Sequence, residues 1–115
     1  MGAVETLRKR RDFLHTQREG RRFKGRHLVV LASKPRAATC RVGLTISRKV
    51  GNAVIRNRVR RRLREIVRLH ATLPNWHLDF VLIAYRSAAD ANYCNLKDDL
   101  LCLLNRAHKW DSQHE

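Results

Sequence analysis

The hydrophobic positions of this chain follow more than one period, and each period predicts a different element. From Cys40 to Val50, Val42, Leu44 and Ile46 alternate with Arg41, Gly43, Thr45 and Ser47. A period of two marks a strand with one buried and one polar face. From Leu78 to Tyr85 the run LDFVLIAY is almost continuously apolar, as expected of a strand covered on both faces. The run HLVVLA, His27 to Ala32, is compact and β-rich and is stopped by Lys34-Pro35, so it also reads as a strand.

Helical spacing governs the rest. Ile55, Val59, Leu63, Ile66 and Val67 form one apolar stripe, the signature of an amphipathic helix. Gly51 breaks the preceding strand, Asn52 suits the N-cap position, and Leu73-Pro74-Asn75 ends the segment. A last helix is expected from an Asn92 cap to about Lys109, with Leu96, Leu100, Leu103, Leu104 and Ala107 inward. Asp98 and Asp99 fall in its first half, where the helix dipole tolerates them. Lys9 to Glu19 reads as a short first helix closed by Gly20. Its apolar content is thin, mainly Phe13 and Leu14, so it must lean on another element.

The expected order is helix, strand, strand, helix, strand, helix, with no repeats and no internal linker. This is a single α/β domain (an α+β sandwich) over residues 1–115. The first few residues and Asp111 to Glu115 are expected to be flexible.

Charge changes the picture most. The chain has 115 residues with 25 Lys+Arg against 10 Asp+Glu, a formal net charge of +15. Residues 1–68 hold 21 basic and 4 acidic residues, and residues 69–115 hold 4 and 6. A one-sided field of this size repels itself and points to a polyanionic partner. It is densest in the second helix, where seven arginines between Arg56 and Arg68 are relieved by one acid, Glu65. Ordinary solvated helices interleave acids at i,i+4. Arginine in place of lysine matters, because its guanidinium fork grips phosphate oxygens bidentately and stacks on bases. A plain solvated face is the bland alternative. Arg62 falls near the apolar stripe and is expected to reach out past Leu69.

The remaining chemistry is sparse. Cys40, Cys94 and Cys102 are odd in number with no CxxC spacing. They read as reduced, partly buried thiols in a cytoplasmic chain, with neither a disulfide framework nor a zinc site. No stretch approaches the ~20 apolar residues of a membrane span, no apolar leader is evident, and the basic helix lacks the aromatic face of a membrane-surface helix. None of the six histidines forms HExxH, and no phosphate-cradling GxxxxGK[ST] or GxGxxG occurs. His77 and Asp79 share a strand face and could form an acid/base pair, although a surface pair is the simpler reading. No protein-borne catalytic residue is therefore expected, and no metal site is assigned, the number and position of protein-bound metal ions being left open by the sequence. The arginine helix could enter a DNA major groove, but a strand precedes it where a helix-turn-helix would place a helix.

The run SRKVGNAVIRNRVRRRLRE, residues 47–65, resembles the signature of the bacterial ribonuclease P protein family. LRKRRDF (Leu7 to Phe13) and EGRR (Glu19 to Arg22) match the family pattern too. The resemblance implies a protein that binds a large catalytic RNA and holds the 5′ leader of precursor tRNA. Cleavage would belong to the RNA with Mg²⁺, and the protein would be a monomer within the ribonucleoprotein. It implies a left-handed β-α-β crossover, as in the second domain of a ribosomal small-subunit protein, against the ~98% right-handed rule.

By position the resemblance puts Arg56, Asn57, Arg58, Arg60, Arg61, Arg64 and Arg68 on an RNA-facing helix. It puts Ser47, Arg48 and Lys49 at a strand end near RNA, and Phe13, Gln17, Leu31 and Arg86 around a leader cleft. The family often has aromatics where this chain has Gln17 and Leu31. Each stacked base is worth about 1–3 kcal/mol, so grip on the leader by stacking is expected to be weaker here. Phe13 could instead be plain core. The alternative function is a structural RNA-binding protein of ribosomal type with no part in cleavage.

Overall fold

The strand that every layer touches is β5 (Asp79–Ala84), the apolar run whose two faces both had to be covered. In this computed structural model, which describes residues 5–6, 10–34, 40–71 and 78–113, β5 pairs with β4 (Arg41–Thr45) in parallel and with β3 (Leu28–Ser33) antiparallel. The intervening helix α2 (Ala53–His70) makes β4–α2–β5 a crossover unit between neighbouring parallel strands, as expected. Two further strands extend the sheet. β2 (Arg21–Lys24) pairs with β3 and β1 (Glu5–Thr6) pairs with β4, giving the order β1-β4-β5-β3-β2. Neither is visible in the periodicity: β2 contains a single apolar residue, Phe23, and β1 has two residues.

Alternation divides the sheet side chains between two layers. One face carries Val42, Phe80, Leu82, Leu28, Val30 and Phe23, and packs on α2 and on α3 (Tyr93–Gln113). Val59, Leu63, Ile66 and Val67 of α2 are buried there, as are Leu96, Leu100, Leu103, Leu104 and Ala107 of α3. Ile55 completes the α2 stripe half-buried. Both caps form as expected: Asn52 Oδ1 accepts from the Ile55 amide at 3.0 Å, and Asn92 Oδ1 accepts from the Asn95 amide at 2.8 Å. Gly51 turns the chain against α2 so closely that a Cβ there would stand 2.8 Å from Ile55 Cγ2.

The other face is covered only in part, by α1 (Arg10–Glu19). Its expected first residue, Lys9, lies outside the described residues. Arg41, read as solvent-facing, is in fact covered. Its side chain, 13% exposed, pairs bidentately with Asp79 (2.7 and 3.1 Å) and through Nη1 with Asp12 on α1 (3.1 Å). One turn further along α1, Thr16 Oγ1 and Ser33 Oγ share a buried hydrogen bond of 3.0 Å. Arg41, Asp79 and Ser33 are register partners across β4, β5 and β3. Hence α1 lies along one end row of the sheet, running across the strands.

Several expectations change. Asp79 is an ion-paired carboxylate beneath α1, and His77 lies outside the described residues. α3 runs on to Gln113, and Asp111, expected in a flexible tail, is buried and paired with Lys34 at 3.0 Å. Arg62 does not pass Leu69; its Nη1 donates to the Ala91 carbonyl at 3.0 Å. Asp99 does more than sit in a tolerant helix turn. Its carboxylate accepts from the amides of Arg26, His27 and Leu28 at 2.9–3.0 Å and so fastens the β2–β3 turn to α3. A Cβ on Gly25 would collide with that carboxylate. Of the cysteines, only Cys40 is buried; Cys94 and Cys102 are exposed.

Candidate nucleic-acid interface

Because α2 buries its stripe of Val59, Leu63, Ile66 and Val67, its other side is committed to solvent. There Asn57, Arg58, Arg61, Arg64 and Arg68 are exposed and Arg60 is half-exposed. Arg60 Nη1 donates to Asn57 Oδ1 at 2.8 Å, which orients both side chains outward. None of these arginines is among the ion pairs of the described residues, which join Lys34 to Asp111 and Arg41 to Asp12 and Asp79. The guanidinium groups are thus left with free donors, the condition for meeting phosphates.

Two of the seven arginines have a second attachment. Arg58 Nη2 reaches the Ala89 carbonyl at 3.2 Å, and Arg62 reaches Ala91. Both tie α2 to the segment that leads into α3. Arg56 is half-buried, and its Nε is a buried donor with no hydrogen-bond partner, a costly condition unless an acceptor arrives.

At the N-terminal end of α2, Ser47, Arg48 and Lys49 stand exposed in the turn after β4. The turn is closed by the Val50 amide on the Ser47 carbonyl at 3.1 Å and anchored by the buried Val50 side chain. Arg86, in the short 3-10 turn Arg86–Ala89 after β5, donates from Nε to the Lys49 carbonyl at 3.2 Å. The structure therefore joins Arg86 to the strand-end group.

The cleft follows from the placement of α1. With α1 over the Arg41–Asp79–Ser33 row, two parallel rows of the same face remain beside it. They are Gly43–Val81–Leu31 and Thr45–Ile83–Val29, read across β4, β5 and β3. Phe13 is half-buried and, like Ile83, packs against the small cluster of Val29, Leu31 and Val81. Gln17, four residues on and exposed, stands on the same side of the helix. Leu31 is only 3% exposed, so it is floor beneath Phe13 and not an open contact. Val29, Leu31, Gly43 and Val81 are buried, so the strip left accessible beside α1 is that of half-buried Thr45 and Ile83, a shallow groove with α1 on one side and the Ser47–Lys49 and Arg86 turns on the other. Tyr85, 38% exposed, adds apolar surface at the end of β5, whereas Leu14, equally exposed, lines a separate depression with Arg11, His15, Arg18 and Glu19.

The sequence profile of the family described as Ribonuclease P matches residues 1–108. The chain belongs to the ribonuclease P protein family. It is 32% identical over 111 residues to the ribonuclease P protein component of Lachnoclostridium phytofermentans, covering 96% of this chain and 95% of the relative. It is 40% identical over 105 residues to that of Desulfovibrio desulfuricans, covering 87% and 80%. The fold superposes on the Staphylococcus aureus RNase P protein with a TM-score of 0.80 at 28% identity, over 91% of this chain and 96% of that one. For the Thermotoga maritima RNase P protein the TM-score is 0.79 at 33% identity, over 89% and 96%. The element order and the crossover agree with those structures. Membership makes the chain a ribonuclease P protein component and places it in tRNA processing.

Among the described residues no three His, Cys, Asp or Glu side chains gather closely enough to hold a metal ion, and no helix is long and apolar enough to cross a membrane. Sequence reasoning missed the carbonyl anchors of Arg58 and Arg62, and the turn that Arg86 braces. No local spacing encodes these contacts, since their partners lie about 30 residues or more away in the chain.

Proposed function

We propose that this protein binds the catalytic RNA of ribonuclease P through α2 and the Ser47–Lys49 turn, and holds the 5′ leader of precursor tRNA in the groove beside α1. The observation that carries this reading is a basic surface from Arg68 to Arg48, with Glu65 its one acid on α2, that ends beside a half-covered sheet face. In the division of labour Arg56, Asn57, Arg58, Arg60, Arg61, Arg64 and Arg68 meet RNA phosphates. Ser47, Arg48, Lys49 and Arg86 stand beside the groove, and Phe13 and Gln17 form the wall against leader bases. The chemistry of cleavage, with its Mg²⁺, belongs to the RNA, and the protein acts as one copy in the cytoplasmic ribonucleoprotein.

The test is cleavage of a precursor tRNA at low Mg²⁺ by protein alone, RNA alone and both together. Activity only in the mixture, or strongly raised there, supports the reading; cleavage by the protein alone overturns it. Phe13→Leu then isolates the groove, because it keeps an apolar contact and removes the ring. It should weaken binding of the leader-bearing precursor by roughly 1 kcal/mol, the low end of one base stack, and leave mature tRNA unaffected. Equal weakening of both ligands would make Phe13 a packing residue only.

A further inference from the structure

Helix α2 and the turn before it hold nine of the 25 lysines and arginines of the chain. A second concentration lies at the far edge of the sheet, where β2 joins the end of α3. On the α3 side of that edge two cations are held against aromatic rings. Arg21 lies over the Trp110 ring at 6.0 Å, Trp110 meets Phe23 edge-on at 6.2 Å, and Arg106 lies over Phe23 at 5.8 Å. Arg106 Nη1 also donates to the Lys24 carbonyl at 3.3 Å. Lys109 stands exposed one turn further along α3, and Arg21 and Arg106 are exposed too.

A ring against the face of a guanidinium orients its fork and leaves the in-plane donors free. None of the three cations is ion-paired among the described residues. The neighbouring acids are engaged elsewhere. Asp99 accepts from the amides of Arg26, His27 and Leu28, and Asp111 is paired with Lys34. Glu19 lines the depression on α1 with Arg11 and Arg18, and Asp98 is two turns of α3 back from Arg106.

Charges on an edge strand commonly keep other strands from pairing there. The exposed Arg22 and Lys24 suffice for that, and it does not account for Arg106 and Lys109, which belong to a helix. Their position suits a partner already present. α2 and α3 pack side by side on one face of the sheet, so a polyanion seated on α2 is on the same side of the molecule as this cluster. The two basic surfaces are nevertheless separate. Before Arg106 the exposed residues of α3 are Cys94, Asn95, Asp98, Cys102 and Asn105, none of them a cation.

We propose that Arg21, Arg106 and Lys109 form a second docking surface for the catalytic RNA, gripping phosphates of a stretch other than the one that α2 meets. The proposal rests on the reading of that RNA as the partner of α2. It makes the protein a clamp on two separate segments of one RNA.

The experiment compares Arg21→Ala/Lys109→Ala, which keeps the Arg106 bond to β2, with Arg61→Ala/Arg64→Ala on α2. The edge variant should bind the catalytic RNA roughly three- to tenfold more weakly, the range that two exposed charge contacts cover. Its log–log salt slope should be shallower by about 1.4–1.8, two phosphate contacts. Arg21→Lys/Lys109→Arg should bind as the wild type does, and the losses of the edge and α2 variants should multiply when combined, as for independent sites. Hydroxyl-radical footprinting of the catalytic RNA should show the edge variant losing protection over a stretch that the α2 variant still protects. With protein saturating, the holoenzyme's affinity for precursor tRNA should not change. If Arg21→Ala lowers the melting temperature, Lys109→Glu, outside the ring contacts, carries the same test alone.

Unchanged affinity for the catalytic RNA, with the α2 variant still weakened, overturns the second surface and leaves the cluster an edge guard or a site for an acidic protein. A loss confined to precursor tRNA assigns the cations to the substrate and overturns it too, as does loss of the same protected stretch in both variants. If neither variant weakens binding, the reading of α2 fails and the second surface falls with it.

Discussion

The arginines of α2 look equivalent in the sequence and are not equivalent in the fold. Arg61 and Arg64 project from the helix without an ion pair, whereas Arg62 is half-buried and bonded to the Ala91 carbonyl. Replacing Arg61 or Arg64 by Ala should leave stability within about ±0.5 kcal/mol, as for ordinary surface changes, while weakening assembly with the catalytic RNA. Arg62→Ala should cost about 1–2 kcal/mol, since a charged donor to a partly buried carbonyl is lost. Paired denaturant melts and RNA-binding titrations of the single variants check the contrast.

Cys40 gives a second residue-scale prediction. Burial, reinforced by the charge of Asp79, pushes its thiol up to about 12 from an ordinary 9.0. Above pH 9 the unfolded chain loses this proton and the folded one keeps it, so stability falls as pH rises from about 9 towards 12. The contribution of this one group is about 1.4 kcal/mol per pH unit. Cys40→Ala should flatten the fall by that amount in alkaline melts. At neutral pH a thiol reagent should label the exposed Cys94 and Cys102 and spare Cys40 until the protein unfolds.

At the scale of elements, α1 is held by chemistry that its own sequence hardly announces. It has few apolar residues, and its attachment runs through the Asp12–Arg41–Asp79 cluster. Asp79 is 1% exposed and Asp12 nearly covered, so Arg41→Ala would remove the cation that bridges these two buried carboxylates. Such a loss typically costs about 3–5 kcal/mol, seen as a lowered denaturation midpoint. Because α1 forms the groove wall, leader binding should suffer more than binding to the catalytic RNA.

This cluster also shows why the sequence was only partly legible. The elements that bury a stripe, α2, α3, β4 and β5, declare themselves through periodicity, and their core residues follow. A buried, paired arginine has the same letter as a solvated one, so Arg41 reads as a polar face and Asp79 as half of a surface pair. β2 fails for a related reason: four residues with three charges offer no period to read. The basic helix was legible as a surface because a single acid, Glu65, stands against its seven arginines, a property of composition. The groove depends on which row of the sheet α1 covers, and that is fixed by contacts 29 and 17 residues apart in the chain.

For the molecule as a whole, the +15 charge sets both the partner and the conditions. If about 6–8 phosphates are engaged, log affinity for RNA should fall with log salt at a slope of roughly −4 to −7. A titration over a range of salt concentrations checks it; a slope shallower than about −2 would mean that the basic surface is not the binding face. The same self-repulsion should make the free protein more stable as salt or a multivalent anion is added.

The carboxylate of Asp99 has a consequence for the making of the protein. It closes a turn at Arg26–Leu28, more than 70 residues earlier in the chain, and α3 supplies much of the lid of the main core. Between the synthesis of that turn and of Asp99, 71–73 residues later, pass roughly 4–14 s at 5–20 residues per second, and the arginine-rich part of the chain is made in that interval. Its hairpin turn still lacks its acceptor, and its sheet lacks α3. For those seconds the nascent protein is a long polycation in a compartment crowded with RNA. Folding is therefore a race between the arrival of its own last helix and the first polyanion to find it.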